Sequence, residues 1–579
     1  MVNDFQNNDQ FPIFCFPSSR SREVITGYRL PILLSLLLFI SPLLSTAQDD
    51  KWGKEGEIEK VEIVIQKERQ ITLPKANRNF EKVPPRPAEP IKPEITYGFK
   101  EVSFTTLDFN PAIRPFKLKA EPIAKLYGNY LSIGFGNYAS PYLDGYATTK
   151  RDKNKFYGAK LFHHSFGSGP VDGGNSASGS TELKVFGKAF TQSVAVGGFL
   201  GFENRSANFY GTLPGVFKGD ASHQSYSVFN IGGDVGNSTK VDFNYNLKGG
   251  FSYLKDAKNS TENEVNFNFT SGYKIDEERK LIVDADYYLM ARKFASQDSP
   301  IRHIFKIKPS YQFSPIDNLI LTIGFNTAFD NDTLGTAKSF RFYPHVAAKY
   351  ELSEGVQVYG TVTGDLDKVS LHSLSRENMW LNQNVGLNNT NRTIEILGGL
   401  KGKLSGKLAY HAGLSIANLK NFYFYTNNPT TPEKLDVVYD QGNVKRTNLF
   451  AEVGYSSAQA VKLLLRADYF GYSTDKVPEA WHRPTYRIGF TSSYNLYNKL
   501  LFDVDFIAQG GMKALVPVFT YKTEEIGTAV DLNVKGSYLV SNQFSVFVKC
   551  SNILNNNYQV YLYYPVRGFQ AMAGISFSF

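Results

Sequence analysis

The strongest constraint on the fold is a regular alternation of apolar and polar side chains from about Tyr130 to the end of the chain. In one such segment Val461 and Leu463 occupy one phase and Lys462 the other, so the two kinds of side chain point to opposite faces of a strand. Many segments last roughly ten residues, which suits a membrane-crossing strand better than the ~5–6 residues usual in soluble sheets. The polar phase carries full charges of both signs. The pattern favours a membrane barrel with a wet interior over a soluble sandwich or propeller.

The connections between these segments alternate in length. Tight polar turns are predicted at 151–154, 190–192, 236–239, 276–279, 314–318, 352–355, 402–406, 456–460, 496–498 and 539–542. Longer loops are predicted at 167–180, 205–222, 367–391 and 420–445. The turns join strands in pairs, and one further strand at each end gives about 22 strands. Short turns on one rim and long loops on the other predict an all-β fold, a large transmembrane antiparallel β-barrel over residues 126–579.

The N-terminus predicts export. Arg20, Arg22 and Arg29 precede an apolar run at 30–44, and small residues at 45–47 offer a cleavage site. The run is short and interrupted by proline, so it suits a secretion signal better than a membrane span. We predict that residues 1–47 are a signal peptide and that the mature chain lies in the cell outer membrane of a Gram-negative bacterium.

Residues 48–125 precede the barrel and differ from it in composition. A charged stretch at 57–69 includes Val61, Glu62, Ile63, Val64 and Ile65, which form the pattern of one short strand. A proline-rich stretch at 83–93 predicts an extended polyproline segment of roughly 30 Å. We expect a short, mostly irregular periplasmic segment with a Pro-rich linker, part of which threads the barrel as a reduced plug.

The C-terminal segment carries a distinctive series of motifs. These are Ser551-Asn552-Ile553-Leu554-Asn555, Tyr558-Gln559, Tyr564-Pro565, Gly568 and the terminal Phe577-Ser578-Phe579. The series resembles the C-terminus of TonB-dependent receptors, the outer-membrane family that imports scarce nutrients. The resemblance implies a 22-stranded barrel and insertion by the barrel-insertion machinery, with Phe577 and Phe579 as the outer-membrane insertion signal.

The same resemblance bears on the segment before the barrel. The family's barrel is closed by a globular plug domain, and residues 48–125 are short for that domain. The stretch from Val61 to Ile65 resembles the segment that such receptors offer to their energising partner, a TonB-type protein. An ordinary edge strand or a tail is the alternative interpretation of this stretch.

Composition and motifs exclude several classes of function. The net charge is +9, without a dense basic run interleaved with aromatic residues, so nucleic-acid binding is not expected. His163 and His164 alternate on one strand and cannot share a metal ion, and residues 330–332 lack the ligand spacing of a calcium loop. We therefore predict no metal, no cofactor and no enzymatic activity. Cys550 is the single cysteine after residue 47, so an internal disulfide is excluded.

The loop 367–391 carries the predicted ligand-facing residues His372, Arg376, Glu377 and Trp380. Arginine and aromatic side chains together suit a binding site, although a lone Trp also suits the lipid headgroup belt. The leading hypothesis is a receptor that binds or transports a ligand at the cell surface. The alternative is a scaffold for lipoproteins or periplasmic partners, and a passive porin is less favoured because so wide an open barrel would leak. The expected partners are outer-membrane lipid, lipopolysaccharide, the insertion machinery, and a TonB-type protein or a surface lipoprotein.

Overall fold

The computed structural model describes Gly98 and residues 127–150, 152–211, 221–294, 299–332, 339–457, 460–516 and 522–579. The predicted signal peptide at 1–47, the segment 48–125 and its strand from Val61 to Ile65 lie outside the described residues, apart from Gly98. Within the described ranges, no helix has both the length and the apolar character needed to cross a membrane.

Twenty-two antiparallel strands form one large sheet, which confirms the predicted barrel and its strand count. In chain order the strands of the sheet are β1 (Asn129–Gly136), β2 (Ser140–Thr148), β3 (Lys155–Phe166), β4 (Ser178–Phe190), β5 (Val194–Asn208), β6 (His223–Asn237), β7 (Phe243–Asp256), β8 (Thr261–Lys274), β9 (Arg279–Lys293), β10 (Arg302–Ile316), β11 (Leu319–Asp330), β12 (Phe340–Ser353), β13 (Val356–Asp367), β14 (Thr390–Lys403), β15 (Leu408–Asn427), β16 (Leu435–Ser457), β17 (Val461–Ser473), β18 (Tyr486–Leu496), β19 (Leu500–Gly510), β22 (Ala529–Leu539), β23 (Phe544–Ser551) and β26 (Gln570–Ser578). Two small hairpins lie in loops and consist of β20 (Met512–Val516) with β21 (Lys522–Ile526), and β24 (Gln559–Tyr561) with β25 (Tyr564–Pro565).

The first and last strands close the sheet into a barrel. β1 pairs with β26 in a register that runs from Tyr130 opposite Ser578 to Gly136 opposite Met572. Each of these strands also pairs with its neighbour in the chain, β2 or β23. Within the described residues, closure leaves the 22-stranded sheet without a free edge, so the backbone groups of the wall are satisfied within the barrel, as a lipid environment requires.

The two faces of the wall differ as the alternation predicts. Leu281 on β9 and Ile323 on β11 point outward and are exposed, which suits contact with lipid tails. Charged side chains of the other phase point into the lumen and pair there. Lys308 on β10 contacts Asp365 on β13 at 2.8 Å and Asp286 on β9 at 3.5 Å. The apolar outer face and charged inner face are those of an outer-membrane barrel.

The two ends of the barrel carry connections of different length. All ten predicted tight turns join barrel strands at one end, which also holds Asn129 and Phe579, and we call this end the turn rim. The longer connections lie at the opposite end, the loop rim. The predicted tight turns are therefore confirmed, although the loop rim also holds short connections at 137–139 and 257–260.

One predicted loop is wrong. Residues 420–445 mostly form strand, because β15 continues to Asn427 and β16 begins at Leu435. Their pairing continues through Tyr423 opposite Tyr439, whose ring centroids are 6.2 Å apart. Cross-strand aromatic pairs stabilise strand pairing, and this pair lies in the part of the hairpin that was predicted as a loop.

Candidate functional site

Three connections at the loop rim pack against one another, and together we call them the cap. The first, residues 368–389 between β13 and β14, is the capping segment and contains helix α1 (Leu371–Glu377). The second is the loop 474–485 between β17 and β18. The third is the loop 552–569 between β23 and β26, which includes β24 and β25.

Helix α1 begins with a capping box. The Ser370 side chain accepts the backbone N–H of Ser373 at 3.1 Å, and the Ser373 hydroxyl accepts the backbone N–H of Ser370 at 2.9 Å. These bonds satisfy two backbone donors that a helix start leaves open. A helix of seven residues is still too short to be stable by its own backbone, so its stability must come from contacts with the barrel.

The barrel wall binds both ends of α1. At the N-terminus, the Glu262 carboxylate on β8 accepts the backbone N–H groups of Leu371 and His372 at 2.8 and 3.0 Å. At the C-terminus, the Arg205 guanidinium on β5 donates to the carbonyl of Ser375 at 2.5 Å. A carboxylate at the start and a cation at the end of a helix both complement its dipole. The lumen wall therefore fixes the position and the direction of α1.

Two further wall arginines hold the rest of the capping segment. Arg292 on β9 donates to the carbonyl of Val385 at 2.6 Å, and to that of Gln383 at 3.0 Å. Arg302 on β10 donates to the carbonyl of Val369 at 2.7 Å. Because guanidinium groups present several fixed donors, single arginines on the wall can bind several carbonyls of an irregular segment.

A buried ion pair joins the capping segment to the second loop. Arg483 Nη1 lies 2.7 Å from Glu377 Oε1, and the two side chains are 10% and 1% exposed. The Tyr423 hydroxyl on β15 donates to the other Glu377 oxygen at 2.6 Å. The guanidinium also lies over the Tyr423 and Phe422 rings, at 5.0 and 5.1 Å from their centroids. Hydrogen bonds and cation–π contacts offset part of the cost of burying both charges.

Aromatic rings connect the capping segment to the third loop. Trp380 stacks on Tyr564 with ring centroids 4.1 Å apart, and Tyr210 packs edge-on against both rings. Leucine side chains of the capping segment are buried in the same cluster, at positions 371, 374 and 381. Burying one leucine stabilises by about 1.5–3 kcal/mol, so this small core offsets much of the cost of ordering the segment.

His482 connects the second loop to its neighbours. Its Nδ1 donates to the carbonyl of Tyr425 at 2.8 Å, and the backbone N–H of Leu562 donates to its Nε2 at 3.2 Å. A ring that donates at one nitrogen and accepts at the other is neutral. Burial, and to a smaller extent the charge of Arg483, lowers the pKa of His482 to about 4. The cap is therefore assembled around an uncharged histidine.

The third loop continues the cap to the far side of the barrel. Arg567 donates to the carbonyls of Ser168 and Ser176, both at 3.1 Å, and to the Ser178 hydroxyl at 2.8 Å. Its guanidinium lies 4.0 Å from the centroid of the Phe166 ring. These residues belong to β3, β4 and their connection, so the third loop connects the capping segment with the first strands of the barrel.

A chamber of about 390 Å³ lies beneath the cap. The capping segment contributes Arg376, Glu377, Met379 and Trp380 to its lining, and the lumen wall contributes most of the rest. The ionic and aromatic lining residues are Arg205, Arg376, Arg466, Arg487, Lys549, Arg567, Glu377, Asp468, Asp505, Asp531, His164, Phe166, Tyr210, Trp380, Phe506, Tyr558 and Tyr561. Six arginine or lysine side chains thus face four carboxylates. The volume lies within the range of small-molecule sites.

The structure brings together three of the four predicted ligand-facing residues. Arg376, Glu377 and Trp380 line the chamber. Glu377 is engaged by Arg483, and Arg376 contacts Glu203 on β5 at 2.8 Å. His372 lies on α1 outside the lining, and burial lowers its pKa to about 3. A role in ligand binding stays a prediction for all four residues.

The other predicted positions lie away from the chamber. Phe577 on β26 stacks on Phe579 with centroids 5.3 Å apart, and both rings are exposed on the outer face at the turn rim. Their role in insertion stays a prediction. Asp330 and Asp332 pair with Arg341 and Arg302. Among the described residues, no group of three or more His, Cys, Asp or Glu side chains is placed to hold a metal ion.

Most residues that build the site were not identified from the sequence. Glu262 and Arg292 belong to the polar phase of their strands and look like any lumen-facing charge. Arg205 begins the predicted loop 205–222, whereas in the structure it lies on β5. Arg483 lies two residues after Trp481, in the loop between β17 and β18, and no sequence motif marks this loop. The tyrosine-rich stretch 558–564 was noted only as part of a resemblance. Its density of aromatic residues inside a loop was a signal for a packed cap rather than a solvated connection.

Comparison with known proteins shows similarity at the level of the fold. No protein-family model and no curated protein sequence matches the chain. The ferripyoverdine receptor of the outer membrane of Pseudomonas aeruginosa has a TM-score of 0.59 at 12% identity, over 79% of this chain and 72% of that one. The FrpB iron transporter from Neisseria meningitidis has a TM-score of 0.60 at 11% identity, over 79% of this chain and 82% of that one. The ferric-catecholate import receptor Fiu from E. coli K12 has a TM-score of 0.58 at 10% identity, over 79% of this chain and 82% of that one. The chain thus shares the closed 22-stranded barrel fold of these three proteins. A closed barrel with an apolar outer face is the structure of an outer-membrane protein.

Proposed function

We propose that this protein is an outer-membrane receptor that binds a ligand at the cell surface, holds it in the chamber beneath the cap, and imports it. The observation that carries the proposal is the chamber, a concave site of about 390 Å³ with converging charged and aromatic side chains. Such a lining is typical of sites that bind and orient small organic molecules. The loop rim faces the cell exterior in this proposal, because the last strand of such a barrel ends at the periplasm.

The lining suggests the chemical class of the ligand. Arg487 and Lys549 contribute positive charge to the lining, which favours acidic groups, and the rings of Trp380 and Tyr558 offer flat apolar surfaces. A molecule that combines acidic groups with rings matches this combination. The three solved structures named above are receptors for iron or its complexes, so ferric complexes of catechols or other chelators are the first class to test.

Import by such a receptor needs a source of energy. We assign the contact with a TonB-type energising protein to the stretch from Val61 to Ile65, on the basis of the resemblance noted in the sequence. The scaffold alternative is less favoured, because the solved structures with this fold named above act in import. A role as a surface-lipoprotein partner is compatible with the receptor proposal.

Tryptophan fluorescence tests ligand binding. The chain has three tryptophans, and Trp380 lines the chamber. Titration of the purified protein with ferric complexes of catecholate chelators should quench its fluorescence saturably. Trp380→Phe keeps an aromatic ring and should reduce the quenching amplitude, because it removes the indole that lines the chamber. Arg487→Gln should weaken binding by about tenfold, because it removes a charge-assisted contact.

A matched control and an uptake assay complete the test. Lys274→Gln changes an exposed cation at the turn rim, far from the chamber, and should bind like the parent protein. Cells that express the parent protein should accumulate labelled iron from the bound complex, and an uncoupler of the proton gradient should stop this accumulation. If no ferric complex quenches the fluorescence and iron uptake does not depend on the gene, iron-complex import is the wrong function.

A further inference from the structure

We propose that the cap is itself a permeability barrier, which closes the chamber to solutes arriving at the loop rim in the absence of ligand. This function goes beyond ligand import, because the barrier acts whether or not a ligand is present. It rests on two observations, the reach of the cap across the lumen and the density of its attachments to the wall.

The cap extends across the lumen from its own strands to distant ones. The capping segment is attached to β13 and β14, yet Trp380 Nε1 donates to the carbonyl of Asn208 at the end of β5, at 3.0 Å. The Tyr561 hydroxyl of the third loop donates to the carbonyl of Glu377 at 3.1 Å. From the third loop, Arg567 reaches Ser178 at the start of β4. These contacts form a continuous path from the middle strands of the sheet to its first strands.

The attachments distinguish the cap from an ordinary mobile loop. Arginines of β5, β9 and β10 hold its carbonyls, and Glu262 holds the start of α1. The capping segment also pairs with β16, where the backbone N–H of Asn382 donates to the carbonyl of Leu435 at 2.8 Å. Leu374 and Leu381 are fully buried. Segments with buried apolar contacts and protected backbone hydrogen bonds open rarely, so the cap obstructs passage most of the time.

Cysteine accessibility in intact cells tests the barrier in the full-length protein. Cys550 is first replaced by alanine, and Ser180→Cys then places a thiol in the chamber lining. Lys476→Cys places a thiol on the exposed second loop, where the lysine side chain is 68% exposed. A membrane-impermeant sulfonated maleimide dye is added from outside. The Lys476→Cys thiol should react readily, while the Ser180→Cys thiol should stay protected.

Two changes to the cap should remove this protection. The first replaces residues 371–387 with a short Gly-Ser linker, and the Ser180→Cys thiol should then react nearly as fast as the Lys476→Cys thiol. The second is Glu377→Gln, which keeps the whole segment and should raise the labelling rate by about a hundredfold, because it leaves a buried charge unpaired. Heat-modifiable migration in gel electrophoresis confirms that each variant is folded. If the variant with the Gly-Ser linker does not fold, Glu377→Gln alone tests whether the cap protects the Ser180→Cys thiol.

The outcomes are opposed. Protection of the Ser180→Cys thiol in the intact protein, together with its loss in the folded cap variants, supports the barrier. Equal labelling of the two thiols in the intact protein overturns it, because the cap is then open to solutes. Continued protection in the folded cap variants also overturns it, because something other than the cap must then exclude the dye. None of these results depends on the identity of the imported ligand.

Discussion

The ion pair between Glu377 and Arg483 should control how often the cap opens. Glu377→Gln removes the carboxylate and leaves the Arg483 charge buried, since that side chain is only 10% exposed. Removing one partner of a buried pair costs about 3–5 kcal/mol. Arg483 keeps its bond to the Tyr423 carbonyl at 3.0 Å and its position over three aromatic rings, so the lower end of that range applies. A loss of about 3 kcal/mol raises the open population by about a hundredfold.

Amide hydrogen exchange on the purified barrel measures this opening. The backbone N–H groups of α1 and of residues 381–382 should exchange about a hundredfold faster in Glu377→Gln. Adding Arg483→Met should restore much of the protection, because two apolar or neutral groups replace a broken pair at little cost. The matched control, Glu277→Gln, breaks an exposed pair at the turn rim and should leave α1 unchanged. Equal exchange in the parent and Glu377→Gln proteins would refute the control of cap opening by this ion pair.

Four further predictions address acidity, topology, insertion and the N-terminal segment. Because burial lowers the pKa of His372 to about 3 and that of His482 to about 4, the open cap binds more protons than the closed cap below about pH 6.5. The free energy of cap opening should therefore fall as pH decreases from about 6.5 to 4 and stay constant above pH 7, as hydrogen exchange can check. An epitope tag beside Gly173 at the loop rim should bind antibody on intact cells, and binding only after permeabilisation would reverse the proposed orientation. Deleting Phe579, or Phe579→Ser, should lower the amount of folded protein in the outer membrane, and unchanged heat-modifiable migration and abundance would remove the insertion role. Deleting residues 48–93 should abolish import or a periplasmic interaction, whereas unchanged permeability, partner binding and growth on limiting nutrients would make this segment only a tail.

The barrel could be predicted from the sequence because its strands and turns are determined by residues that are close together in the chain. Leu281 and Asp286 occupy opposite phases of one strand, and this alternation is visible in a few consecutive residues. Turn residues are local as well, so the number of strands followed from the number of turns. The hairpin at 420–445 was missed because its polar tip resembles a loop, while the pairing of Tyr423 with Tyr439 is visible only in the fold.

The cap could be predicted only in part, because it depends on contacts between distant residues. Arg376 and Trp380 were identified because arginine and tryptophan stand out in a long polar loop. Glu262 and Arg205, which hold the two ends of α1, lie more than a hundred residues before it. Glu262 shares the pattern of any lumen-facing charge, and Arg205 stands at the start of a predicted loop. A periodic pattern indicates which face a side chain occupies, but it does not indicate which loop folds back onto that side chain.

A density map of the protein purified from its native membrane tests the central claim most directly. The receptor account predicts a closed 22-stranded barrel with the density of a small molecule in the chamber, in contact with Trp380 and the neighbouring arginines. The same map would show whether the cap covers that molecule. A chamber occupied by the polypeptide of a partner protein, with no small molecule present, would contradict the receptor account and favour a scaffold.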